Sequence, residues 1–363
     1  MAEDKDQPRD VLHEAKAVLD MNDRGTYTQP GPELYPHQWL WDSCFIAIGW
    51  RHFDVERAKT EILSLLRGQW HNGMVPNMVF RDDPQYRTDR NVWRSWVNPY
   101  APYDVKTSGI TQPPVIAEAV VKIGQKMEWS ERRQWYKIVY PSLLAYHSWL
   151  YNERDPHGEG LVLQVHPWET GLDNTPPWMA EMHEHQMPMW IRIIEKTKFD
   201  RVLNIFRRDT KHIPIDQRFT TIEALVLLDI QRRLRRKAYN IDRILNHSLF
   251  AIEDLAFNSM LIRNNTHLRE IAKSLKEDLP AELEKRMKHT EKALEELWDP
   301  YSSQYYSRNF ITHHLIKVPT VATLLPLYAG TIDKERAEKL VKLLENQHAF
   351  GPAYPAPSVP TNS

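Results

Sequence analysis

The stretch ERAKTEILSLLRGQW, residues 56 to 70, repeats its apolar positions at intervals of three and four, with Ala58, Ile62, Leu65 and Leu66 set among charged and polar residues. That spacing follows the turn of an α-helix with one buried face. The pattern returns in PPVIAEAVVKIGQKM (113 to 127), TIEALVLLDIQRRLRR (221 to 236) and KERAEKLVKLLENQ (334 to 347). Strand signals are scarce and short, so the sequence predicts an all-α protein with one small hairpin. The most charged segment, HLREIAKSLKEDLPAELEKRMKHTEKALEELW (267 to 298), reads as two surface helices broken near Pro280, each with a solvated outer face.

Long connections separate these helices: TYTQPGPELYPHQ (26 to 38), residues 79 to 109, residues 152 to 178, and RRDTKHIPIDQRF (207 to 219). Pro, Gly, Asn and Asp are frequent in them, and so are aromatic residues. Loops of this length within a compact protein carry function or are disordered, and the aromatic content argues for function.

The bulk numbers narrow the partners. Lys and Arg total 47 against 48 Asp and Glu, a net charge of -1, so nothing favours nucleic acid or an anionic membrane. Neutral or weakly charged small ligands fit better. Cys44 is the only cysteine, the N-terminus MAEDKDQPRD has no apolar signal core, and no window forms a membrane span; a cytoplasmic location is expected. The 13 Trp and 15 Tyr outnumber the 12 Gly, and such flat amphipathic rings suit either a core or the apolar face of a sugar.

Chemistry concentrates in HPWETGLDNTPPW (166 to 178). A carboxylate beside Trp168 and Trp178 has a raised pKa, as a general acid requires. Asp173 with Asn174 equally reads as an Asx turn capping a helix. In YPHQWLWDSCFIAIGW (35 to 50), Tyr35, Gln38, Trp39, Trp41 and Asp42 stand immediately before an apolar helix. Asp42 or Ser43 would serve as its cap, although a cap does not need three aromatic neighbours. Neither HEH (183 to 185) nor HH (313 to 314) has metal-binding helix spacing, and phosphate-binding glycine loops are absent. No metal or organic cofactor is expected.

QWLWDSCFIAIG, GQWHNGMVPNMVF (68 to 80), TSGITQPPVIA (107 to 117), RDPHGEGLV (154 to 162) and HPWETGLDNTPPW, in this order, resemble glycoside hydrolase family 63, most closely its bacterial mannosylglycerate and glucosylglycerate hydrolase branch. FNSMLIRNN (257 to 265) and VATLLPLYAG (321 to 330) continue the likeness. The resemblance implies an (α/α)6 barrel over residues 1–363 as one domain, with long loops building a pocket at one end. It also implies an inverting hydrolysis in which one carboxylic acid protonates the glycosidic oxygen and a distant carboxylate activates water. Asp173 matches the family's general acid. Tyr35, Trp39, Trp41 and Asp42 match sugar-contacting positions, Gln112 a polar contact, and Trp168 and Gly171 the wall around the acid. Asn77 stands where relatives often carry histidine. Arg207 is the choice for the cation that a glycerate carboxylate needs.

The family's base is a glutamate beyond a segment resembling YWRGPVW, whereas this chain reaches YPAPSVPTNS and ends at Ser363. The expectation is a barrel lacking its last helices and its base, with exposed apolar faces that favour a homo-oligomer or a complementing chain. QRFTTIE also departs from the expected QRPT pattern, which leaves the aglycone open. The alternatives are a trehalase-like or α-glucosidase activity on a neutral sugar, a sugar-binding remnant without turnover, and a purely structural helical toroid. The last would set Asp42, Asn77, Gln112 and Asp173 in an apolar space at high cost.

Overall fold

The computed structural model describes residues 10–32, 34–173, 178, 187–198 and 220–362. The periodic stretches are helices with identifiable starts. Asp54 caps Val55–Leu66 by accepting from the Arg57 amide at 2.9 Å. Thr220 and Glu223 close a reciprocal capping box on Thr221–Arg236. Asp254 caps Leu255–Leu275, Asp333 caps Lys334–Glu345, and Pro280 stands at the entry of Ala281–Ala293.

Short turns fold these helices into antiparallel pairs, such as Leu40–Trp50 on Val55–Leu66 and Ile116–Gly124 on Trp129–Arg154. Ile116–Gly124 is buried at every position except Lys122 and lies against both Leu40–Trp50 and Leu255–Leu275. A helix enclosed on all sides belongs to an inner layer. Trp129–Arg154 alternates Trp135, Val139, Leu143 and Leu150, all buried, with solvated positions, and forms an outer layer. The principal apolar cluster lies between these layers, from Leu40, Ile62 and Leu65 through Val120 and Ile123 to Leu261 and Leu268.

Two sequence expectations need correction. The stretch from His267 to Leu275 is not a surface segment: Leu268 and Ile271 are fully buried, and Ala272 and Leu275 nearly so. It is the second half of Leu255–Leu275, and its charged residues lie on the narrow face left over by the core. Instead of one hairpin, the described residues contain three two-stranded antiparallel pairs. These join Gln38–Trp39 to Met78–Val79, Ile252–Glu253 to Arg308–Asn309, and Trp298–Asp299 to Gln304–Tyr305. The first two connect segments far apart in sequence, so they organise loops rather than make a sheet. No described helix is long and apolar enough to cross a membrane.

Candidate active site

The first strand pair begins the site. Gln38 faces Val79 and Trp39 faces Met78, and the Leu40 amide then donates to the Asn77 carbonyl at 3.0 Å. This pairing fixes where the helix starts. Leu40 is its first residue, Trp39 occupies the cap position without a side-chain cap bond, and Asp42 lies in the first turn. The reading of Asp42 or Ser43 as a helix cap is therefore overturned. Ser43 instead donates to the buried Glu61 carboxylate at 2.6 Å.

The third motif is sewn onto the second. The Ser108 amide donates to the Met78 carbonyl at 3.0 Å, the Asn77 amide donates to the Ile110 carbonyl at 2.7 Å, and the Ser108 hydroxyl donates to Asn77 Oδ1. Thr111 then reaches in two directions. Its hydroxyl donates to the Val75 carbonyl at 2.8 Å and its amide to Glu169 Oε1 at 3.2 Å. Glu169 thereby links the loop bearing Gln112 to the loop bearing Asp173.

Glu169 is fully buried and also accepts from the Val165 amide at 2.7 Å and from Arg154 Nη2 at 2.7 Å. Burial raises its pKa, and the Arg154 charge with the backbone donors opposes that rise. A carboxylate so fully engaged holds loops together. The sequence offered no local signal for its partner, which lies fifteen positions earlier.

Gly171 brings the first and last motifs into contact. Its φ of +74° is left-handed, and a Cβ there would lie 2.8 Å from the outer edge of the Trp41 ring. The following residues are held by Trp178, whose indole N–H donates to the Leu172 carbonyl at 3.1 Å. Asp173, half-buried, comes next in the chain. Trp168 leans on Trp93 and on His166, with ring centroids 6.1 and 4.6 Å away. His166 is neutral: burial lowers its pKa to about 4, Nδ1 accepts from the Trp168 amide at 3.1 Å, and Nε2 donates to the Leu227 carbonyl at 3.1 Å.

The polar groups of this region are poised rather than spent. Burial raises the Asp42 carboxyl to about 6, and only its own backbone amide opposes the shift. Trp39 Nε1, Asn77 Nδ2 and Gln112 Oε1 are buried and make no hydrogen bond among the described residues. Tyr35 stands half open with its ring edge-on to Trp39, centroids 5.8 Å apart. Of the sequence candidates, Tyr35, Trp39, Trp41, Asp42, Asn77, Gln112, Trp168, Gly171 and Asp173 lie on segments that touch one another. Arg207 and Asn174 lie outside the described residues. Among the described residues no group of three or more His, Cys, Asp or Glu could hold a metal ion.

Helix pairs in two layers place an aromatic and polar site on their connecting loops. Residues 35–363 match the family described as the mannosylglycerate hydrolase MGH1-like glycoside hydrolase domain. A mannosylglycerate hydrolase of Thermus thermophilus is 38% identical over 91% of this chain and 76% of its own length. A glucosylglycerate hydrolase of Mycolicibacterium hassiacum is 29% identical, over 95% of this chain and 77% of its own. The crystal structure of a Thermus thermophilus family 63 mannosylglycerate hydrolase, in complex with Tris and D-glycerate, superposes with a TM-score of 0.83 at 37% identity, over 96% of this chain and 79% of that one. The chain belongs to glycoside hydrolase family 63, in its mannosylglycerate hydrolase branch, and is a glycosidase of the (α/α)6 type.

Proposed function

We propose that this glycosidase hydrolyses a small glycosylglycerate, mannosyl or glucosyl, with inversion at the anomeric carbon. Asp173 is the general acid: it gives its proton to the glycosidic oxygen as the bond to the anomeric carbon breaks, and glycerate leaves. Water attacks from the opposite face, yielding its proton to a carboxylate base that this reading assigns to no residue of the chain. Trp39, Trp41 and Tyr35 pack against the apolar face of the sugar, with Trp168 and Gly171 forming the wall beside the acid. Asp42 accepts hydrogen bonds from sugar hydroxyls, Asn77 and Gln112 complete the polar lining, and Arg207 pairs with the glycerate carboxylate. The reaction uses no metal or organic cofactor, and a cytoplasmic location fits the lone buried thiol of Cys44.

One observation carries the reading. Three buried polar atoms, on Trp39, Asn77 and Gln112, have no partners among the described residues and lie beside the aromatic segments and the carboxyl of Asp42. Unpaired buried groups cost free energy that a polyhydroxylated ligand would recover. The named activities of the relatives, mannosylglycerate and glucosylglycerate hydrolases, support glycerate as the aglycone. The test combines tryptophan fluorescence during titration with mannosylglycerate and glucosylglycerate and a measurement of sugar release. Asp42→Ala is expected to abolish binding, and Asp173→Asn to keep binding while cutting turnover by about a hundredfold to ten-thousandfold. Failure to bind either glycoside, or turnover indifferent to Asp173→Asn, would refute the assignment.

A further inference from the structure

A cleft opens where the end of the Trp129–Arg154 helix meets the loops carrying Trp70, Tyr100 and Tyr239. None of its lining residues belongs to the group around Trp39, Asp42, Asn77, Gln112 and Asp173.

Four aromatic side chains line part of the cleft, and two of them have their polar handles engaged. The Trp70 indole N–H donates to Thr107 Oγ1 at 3.0 Å, and the Tyr239 hydroxyl donates to the Trp93 carbonyl. Trp149 also lines the cleft, as does Tyr100, which is half exposed. Such surface suits the C–H face of a sugar ring.

Two charged side chains stand in the lining, Glu153 and Arg154. Arg154 is 5% exposed and lines the cleft; its Nη2 is committed to Glu169, but its Nη1 has no hydrogen-bond partner among the described residues. Glu153, its neighbour in the chain, presents a carboxylate that makes no hydrogen bond or ion pair among the described residues. The arginine charge is matched by Glu169, so Glu153 is the unmatched charge among the lining residues. An anion is disfavoured there. A neutral polyol is not, since one hydroxyl can accept from Arg154 Nη1 while another donates to Glu153.

The backbone beside the cleft is held in place at a cost. Ala238 and Tyr239 are consecutive left-handed residues, with φ of 53° and 55°. L-residues adopt that conformation only where their surroundings enforce it. Asn98 Nδ2 enforces it by donating to the Ala238 carbonyl at 2.8 Å, and the Tyr239 ring fills the space over Gly109, where a Cβ would approach to 2.4 Å.

We propose that this cleft is a second carbohydrate site, taking a neutral monosaccharide or polyol independently of the proposed hydrolysis. The test uses the full chain carrying Asp42→Ala, which silences the first site, with 5-fluorotryptophan at every tryptophan. Fluorine NMR follows titration with methyl α-D-mannoside and, in parallel, with D-glycerate. A saturable mannoside shift is expected, weakened at least tenfold by adding Glu153→Ala or Tyr100→Ala while the melting temperature is unchanged. No saturable shift, or one that both added variants leave intact, overturns the proposal. Tighter binding of D-glycerate than of the mannoside overturns it too, because Glu153 should repel an anion.

Discussion

Gly171→Ala tests the contact that joins the Trp41 segment to the acid loop. The change carries two separable costs. At φ +74° any L-residue is strained by about 1–2 kcal/mol. The new Cβ would also meet Trp41 Cη2, Cζ3 and Cζ2 at 2.8, 2.9 and 3.0 Å, an overpacking worth about 1–3 kcal/mol. Together they amount to about 2–5 kcal/mol. Trp41 is only partly buried, so part of the second cost is relieved if its ring swings away, and that swing removes a wall of the site. Gly158→Ala is the internal control: its φ is +70° but a Cβ there would meet nothing within 4 Å, so it carries the backbone cost alone. Urea unfolding of both variants should give Gly171→Ala the larger loss by at least about 1 kcal/mol. Glycoside affinity should fall about tenfold or more for Gly171→Ala, equivalent to about 1.4 kcal/mol, and stay unchanged for Gly158→Ala. Equal losses of stability together with unaltered affinity would refute the claim that Gly171 is there to admit Trp41.

Asp42→Asn should stabilise the protein near neutral pH while abolishing sugar binding. The folded pKa of about 6 exceeds the ordinary 3.8, so the folded state prefers the protonated carboxyl, and wild-type stability declines as pH rises between those values. The advantage of the variant, at most about 3 kcal/mol above pH 6, should vanish toward pH 3.8 in thermal melts; an advantage that persists in acid would contradict the assigned cause. Glu169→Gln leaves Arg154 buried beside an uncharged partner and should cost about 3–5 kcal/mol in urea unfolding, whereas a purely catalytic Glu169 would lower turnover without changing the denaturation midpoint. Leu268→Ala should cost about 2–5 kcal/mol, because the residue is fully buried; a loss under about 0.5 kcal/mol would restore the reading of this stretch as surface.

The helices were legible because a buried stripe imposes its period on the sequence, as in Val55–Leu66, where Ala58, Ile62 and Leu65 are all buried. Misreading His267–Leu275 has the same origin. Arg269, Glu270 and Lys273 dominate its composition, yet Leu268, Ile271, Ala272 and Leu275 fill the inward face, and a face rather than a total decides burial. Strand pairs of two residues each carry no alternation to read. Their effect was hidden with them: pairing Trp39 with Met78 starts the helix at Leu40 and leaves Asp42 uncommitted. Aromatic crowding marked Tyr35, Trp39, Trp41 and Asp42 as a neighbourhood. It could not disclose that Glu169 ties that neighbourhood together through Arg154 and Thr111, since such a role arises only when distant segments meet.

The unpartnered atoms of Trp39, Asn77 and Gln112 have a consequence for discrimination among ligands. A deoxy sugar that fits the same space would leave one of them as bare as before while displacing any water that reached it. Polar groups set this way reject a missing hydroxyl far more severely than an apolar pocket rejects a missing methylene, by about 10⁴–10⁵ against about 10–200. Under the proposed reading, these buried polar groups are therefore the means of telling mannose or glucose from their deoxy analogues.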